Sequence, residues 1–100
     1  MTRPGETKLK WHLFPMEEAE IVAEVFHKGA EKHQPFGWQT IPDAHTQYSD
    51  ALMRHWVAYC KGEKTDPDDG LPALAHLIAD AFILLWHDRH EKKDSVIAEK

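Results

Sequence analysis

Apolar residues recur at helical spacing in three stretches of the chain, separated by clusters of Gly, Pro and Asp. In the first stretch Ala19, Val22, Val25 and Phe26 share one side of a helix advancing about 100° per residue. Glu17, Glu20 and Glu24 gather on the other side, within about a sixth of a turn. Pro15 suits a first helical turn, Trp11, Leu13 and Phe14 can pack back on it as a staple, and Gly29 weakens the far end. A helix is therefore expected over 15–30 or slightly beyond. Pro35, Gly37 and Pro42 mark a loop over 33–42. Asp43 is placed to cap a second helix over 44–61, which Gly62 would stop. The segment GEKTDPDDG at 62–70 is turn chemistry throughout. A third helix begins near Leu71, with Pro72 in its first turn, and continues to about 92. No segment alternates as a strand would, no repeat appears, and none approaches the length of a membrane span. Residues 1–10 read as a flexible lead-in to one domain over 11–100, and 94–100 either extend the last helix or fray. The fold class is all-α.

The third helix is apolar nearly all round. Leu74, Leu77, Ile78, Phe82, Leu84 and Leu85 cover most of its circumference, more than a lone three-helix monomer can bury, so a dimer or higher assembly is expected. Its one polar stripe carries His76, Asp80 and His87, within about 40° in projection. His76 and Asp80, at i and i+4, can touch. Two readings stay open: a hydrogen-bonded buried pair, or a metal or substrate site inside the bundle. Asp50 and Arg54 repeat the spacing on helix two, with Lys61 on the same stripe, and this pair reads first as a surface salt bridge. His55 faces the opposite side, among Ala51, Leu52, Ala58 and Tyr59, as a core histidine.

Charge and composition narrow the partners. A net charge of -5 over 100 residues argues against a non-specific grip on duplex nucleic acid, although metal ions can carry the countercharge for a nucleotide triphosphate. One cysteine, Cys60, excludes an internal disulfide, suits a reducing cytoplasm and reads as a small core residue. The aligned glutamates of helix one form either a solvated acidic face or a seat for a divalent cation. Glu63, Asp66, Asp68 and Asp69 read mainly as capping and solubility chemistry, since they lack the spacing of a calcium loop. Lys32, His33, Phe36, Gly37 and Trp38 supply a cation and aromatic rings of the type that phosphate and base recognition use. Eight histidines form no HExxH pair and no Cys/His cluster, which disfavours structural zinc.

The order of residues adds to this. GAEKH at 29–33, Gly37–Trp38, DALMRHWVAYCKGEKTDPDDG at 50–70 and LPALAHLIADAFILL at 71–85 together resemble the phage-borne dATP/dGTP diphosphohydrolase N-terminal family, related to the MazG-like all-α nucleotide pyrophosphohydrolases. The resemblance covers about 13–85. It implies a MazG-like bundle of three to four helices completed by oligomerisation as a dimer or tetramer. It also implies hydrolysis of dGTP or dATP to the monophosphate and pyrophosphate with Mg²⁺ or Mn²⁺, in the host cytoplasm. MazG-like proteins hold the metal with an EExxE helix and an ExxD on a second helix. Glu17 and Glu20 match the first motif, with Glu24 a turn further on; Gln47 and Asp50 stand at the second, where an amide replaces one carboxylate. His33 stands where the family often has tyrosine.

On this resemblance Glu17, Glu20, Glu24 and Asp50 are expected to hold the ions, with Asp80, or Glu63 and Asp66, supplying a further ligand. Glu20 or Glu24 would activate water, Lys32 and Arg54 would contact phosphates, Trp38 would stack on the base and His76 would hydrogen-bond within the pocket. Two other readings compete. One is a metal phosphohydrolase using His55, His76 and Asp80, against which the phase of His55 counts, since it points away from Asp50 and Arg54. The other is a non-catalytic helical interaction module that docks through helix three.

Overall fold

A computed structural model describes residues 8–91. Three α-helices, α1 (Met16–Lys32), α2 (Ala44–Cys60) and α3 (Ala73–His90), form an all-α bundle, with single 3₁₀ turns at Trp11–Leu13 and Gly37–Gln39. Among the described residues there is no strand, only an isolated antiparallel bridge between Thr65 and Pro72, and no helix is long and apolar enough to cross a membrane. The expectations for 1–7 and for the tail at 94–100 fall outside the described residues.

α3 is the central element, packing most extensively on α2 and less on α1. Small residues make this possible: Ala73, Ala75 and Ala79 of α3 and Ala44 of α2 are buried, letting the helices approach closely. Val22 meets Ala75 and Ala79, flanked by Ile21, Val25 and Phe26, as the phase of α1 requires. The same phase turns Glu17, Glu20 and Glu24 to solvent. The core is thin, and among the described residues no large side chain is fully enclosed. Leu74, Ile78, Phe82 and Leu85 form an uncovered stripe along α3, 38–54% exposed. Self-association through that stripe is the expectation such a face raises.

Helix boundaries match the punctuation, with two local differences. α2 ends in a Schellman motif: Gly62 at φ 98° donates to Tyr59, and Glu63 donates back to Ala58. At its start, Asp43 occupies the cap position but in the left-handed conformation (φ 58°), and its carboxylate makes no capping bond. The capping bond that a cap residue in extended conformation would make is thus missing, and mild backbone strain stands in its place. Asp43→Gly is therefore expected to raise stability by about 0.5 kcal/mol in urea titrations, because glycine takes positive φ freely. A loss of about 1 kcal/mol would mean that the carboxylate caps after all. Cys60, expected in the core, is exposed. It sits on the last turn of α2 beside Trp56 and Val57, which are themselves largely uncovered, so its apolar neighbours do not mark a buried face.

Candidate functional site

The connection from α2 to α3 is built by its own aspartates. Asp66 N–H donates to Leu71 C=O at 2.8 Å and Gly70 N–H to Asp66 C=O at 2.8 Å, with Gly70 at φ 74°. Asp66 Oδ1 accepts the Asp68 N–H at 2.7 Å, and Asp69 Oδ1 accepts the Leu71 N–H at 2.9 Å. Ala73 N–H closes the loop onto Lys64 C=O at 2.8 Å. Each of these two aspartates thus spends one oxygen fixing the backbone and presents the other to His76, one turn into α3. His76 Nε2–H donates to Asp69 Oδ2 at 2.9 Å, and Asp66 Oδ2 lies 3.8 Å from the same nitrogen.

α2 completes the chamber. The His55 ring stacks on that of His76 with centroids 5.0 Å apart and planes at 22°. Its Nε2 lies 3.8 Å from Asp80 Oδ2, too far for a hydrogen bond. Asp80 is 8% exposed, and its Oδ2 has no hydrogen-bond partner. His76 and Asp80, which their spacing allows to touch, do not hydrogen-bond: the loop aspartates take the imidazole, and the Asp80 Oδ2 is left without a partner.

Electrostatics follow from burial. Desolvation pushes the Asp80 carboxyl up to about 7, against the opposing pull of His76 and Arg54. Burial, reinforced by His76, lowers the His55 pKa, so this imidazole is neutral at pH 7. Burial works to raise Asp69, but the Leu71 N–H, His76 and the charge of Lys28 together hold it below the usual carboxylate range. Desolvation and then the Asp80 charge raise the phenol of Tyr48.

His55, Asp66 and His76 offer three donor atoms within 4.8 Å of one another. With bonds of about 2.0–2.3 Å, donors sharing one ion stand roughly 3–4.5 Å apart, so small side-chain shifts suffice. The donor chemistry also fits: one imidazole is already neutral, two nitrogens join a carboxylate oxygen, and an unpartnered buried carboxylate lies alongside. A second group, His45 with Asp88 and Glu91, fits less well. Both ring nitrogens are already engaged, Nε2 with Asp88 at 2.6 Å and Nδ1 with Glu91 at 2.9 Å, tying the start of α2 to the end of α3.

The other residues singled out in the sequence lie elsewhere. Glu20 and Glu24 line a shallow depression on α1 with His27, and Glu17 is exposed beside it. Among the described residues, these glutamates join no three-residue group of metal-ligating side chains. Asp50 and Arg54 share an open surface depression on α2 with Lys61 and Glu63, and no ion pair joins the two. Gln47 is exposed on the same helix. Lys32 and His33 are exposed at the end of α1; Lys28, unremarked in the sequence, is the α1 cation whose field reaches Asp69. Trp38 packs inward, edge-on to Phe26 (5.8 Å) and Trp86 (5.3 Å), and its carbonyl accepts a bond from His87 Nε2 at 3.0 Å. Asp69 was legible only as part of an acidic turn, although the Asx-turn spacing of DPDDG ahead of a helical histidine was the available signal.

The fold and this chamber define an all-α protein with a partly buried imidazole–carboxylate site. Its family follows from the sequence as a whole: the model for dATP/dGTP diphosphohydrolase, N-terminal, matches residues 2–96, and the chain belongs to that family. No curated protein and no solved structure matches it.

Proposed function

We propose that the protein hydrolyses a purine deoxynucleoside triphosphate, dGTP or dATP, to the monophosphate and pyrophosphate. The chamber between α2, α3 and their connecting loop is the metal and reaction site. The observation that carries this reading is the approach of His55, Asp66 and His76 donor atoms to within 4.8 Å beside the unpartnered oxygen of Asp80. Membership of the dATP/dGTP diphosphohydrolase family supports the substrate class.

His55, His76 and Asp66 would each give one donor atom to a divalent cation, and mixed nitrogen and oxygen donors favour Mn²⁺ over Mg²⁺. When bound, such an ion supplies countercharge for the triphosphate and a more acidic water. Binding through His76 Nε2 would use the tautomer that carries its proton on Nδ1 and would end the present hydrogen bond to Asp69. Before an ion binds, Asp69 holds the imidazole in place. In the reaction, water oxygen bonds to the α-phosphorus, the bond from that phosphorus to the bridging oxygen breaks, and pyrophosphate leaves. Asp80 Oδ2 is the atom available to receive the proton of the water. Arg54, whose charge is felt by His55 and Asp80, and Lys28, whose charge is felt by Asp69, are the proposed cations for the phosphates, reaching in from the surfaces of α2 and α1.

The resemblance alone supports a different ion site, with Glu17, Glu20, Glu24 and Asp50 as ligands, Glu20 or Glu24 as base, Mg²⁺ serving as well as Mn²⁺, and a partner copy bringing the acidic faces together. Two variants separate the readings in assays with dGTP, dATP and Mn²⁺, scored for monophosphate and pyrophosphate. The chamber reading expects Glu20→Gln to keep kcat within threefold, roughly 0.7 kcal/mol of barrier, while Asp66→Asn loses at least a hundredfold. Loss in Glu20→Gln with retention in Asp66→Asn would move the ion to the acidic stripe.

A further inference from the structure

We propose that the cleft between the end of α1, the 33–43 connection and α2 is the nucleoside half of the substrate site, and that Phe36 is its stacking platform. This rests on the reading that a deoxynucleoside triphosphate is the substrate. The cleft has a volume of about 810 Å³, enough for a nucleoside, with Phe26, Phe36, Ile41 and Ile83 as apolar walls and Gln34 and Tyr48 as polar groups facing in.

Phe36 is the unusual residue. It adopts the left-handed backbone conformation (φ 61°), costly for a bulky side chain, yet the residue is 66% exposed. The strain therefore brings no burial in return. What it does bring is an aromatic face held at the rim of the cleft, the arrangement expected where a ligand supplies the missing contact. Trp38, the other ring in this loop, is already committed to Phe26 and Trp86 and acts as a wall.

Helix geometry joins the cleft to the chamber. Ile83 of the cleft follows Asp80 of the chamber by one turn of α3, and both are buried. Tyr48 of the cleft precedes His55 by seven residues, two turns of α2 and about 10 Å of rise on the same face. A base against Phe36 thus leaves its sugar and phosphates to run past Tyr48 toward His55. The effect of the Asp80 charge on Tyr48 is a second sign that the two spaces are neighbours.

The test uses Phe36→Gly, which removes the ring while relieving the backbone, and Phe36→Trp, which keeps an aromatic face. Equilibrium binding of dGMP, steady-state hydrolysis of dGTP and the thermal midpoint are measured for each. Phe36→Gly is expected to weaken dGMP binding and raise the KM for dGTP by about tenfold, with kcat within twofold and no fall in midpoint. Phe36→Trp is expected to stay within threefold of wild type in both affinities. Wild-type dGMP affinity in Phe36→Gly overturns the cleft while leaving the proposed hydrolysis standing. If the wild type binds dGMP and Phe36→Gly loses it, but neither turns over dGTP, the cleft stands and the hydrolysis falls. Failure of the wild type to bind dGMP or dGTP overturns both.

Discussion

Replacing His76 with alanine is expected to reduce kcat/KM for dGTP by at least a hundredfold at any Mn²⁺ concentration the protein tolerates. Changing even an outer-shell partner of a metal ligand typically costs about 10–100-fold, and His76 is itself a proposed ligand. Its Nε2 lies between Asp69 and Asp66, and its ring stacks on His55. The same variant carries a readout independent of turnover. Ion present at a hundred times its dissociation constant stabilises a folded protein by roughly 2.7 kcal/mol, and His76→Ala is expected to lose that gain in melts with and without Mn²⁺. Undiminished ion stabilisation in His76→Ala would remove the chamber from the account. A melting point indifferent to both Mn²⁺ and dGTP in the wild type would favour the non-catalytic interaction module, for which the bare stripe of α3 is the physical motive.

The second large effect concerns Asp80 in the metal-free protein. Its carboxyl ionises near 3.8 when unfolded and at about 7 in the fold, so the folded state holds its proton more tightly. Stability from this group is fully present below about pH 4, declines between pH 4 and pH 7 by up to about 1.4 kcal/mol per unit, and is flat above. The accumulated cost at pH 8 is on the order of 2–4 kcal/mol. Asp80→Asn removes the titration while keeping the shape. It is expected to unfold at higher urea than wild type at pH 8, to match it near pH 4, and to lose catalysis. Addition of Mn²⁺ should narrow the gap at pH 8 by stabilising the wild type more. A variant less stable than wild type at pH 8 would show that the carboxylate is satisfied in the fold.

What could be read ahead of the structure was mostly local. Pro15, Gly62 and Pro72 act within one helical turn, so the three helices and their ends followed from the sequence. The inward face of α1 followed for the same reason, since Val22, Val25 and Phe26 obey a single period. Phase also placed His55 opposite Asp50 and Arg54. That seemed to count against His55 as a site residue, yet it is what turns the ring toward α3 and His76. Which partner His76 would take was not legible: intrahelical spacing allowed Asp80, but a loop stiffened by Asx turns holds Asp69 at 2.9 Å. Asp43 and Cys60 were misplaced because a residue type at a helix end does not disclose its backbone dihedral or outward direction. Phe36 and Trp38 exchanged prominence on similar grounds, since only three dimensions show which ring is already packed.

Pulsed electron paramagnetic resonance of the protein loaded with one equivalent of Mn²⁺ reports which nuclei touch the ion. If the chamber holds it, nitrogen-14 modulation comes from two imidazoles, is reduced to one in His55→Ala and in His76→Ala and is unchanged in Glu20→Gln. A spectrum with oxygen ligands alone, altered by Glu20→Gln and indifferent to both histidines, would contradict the chamber site.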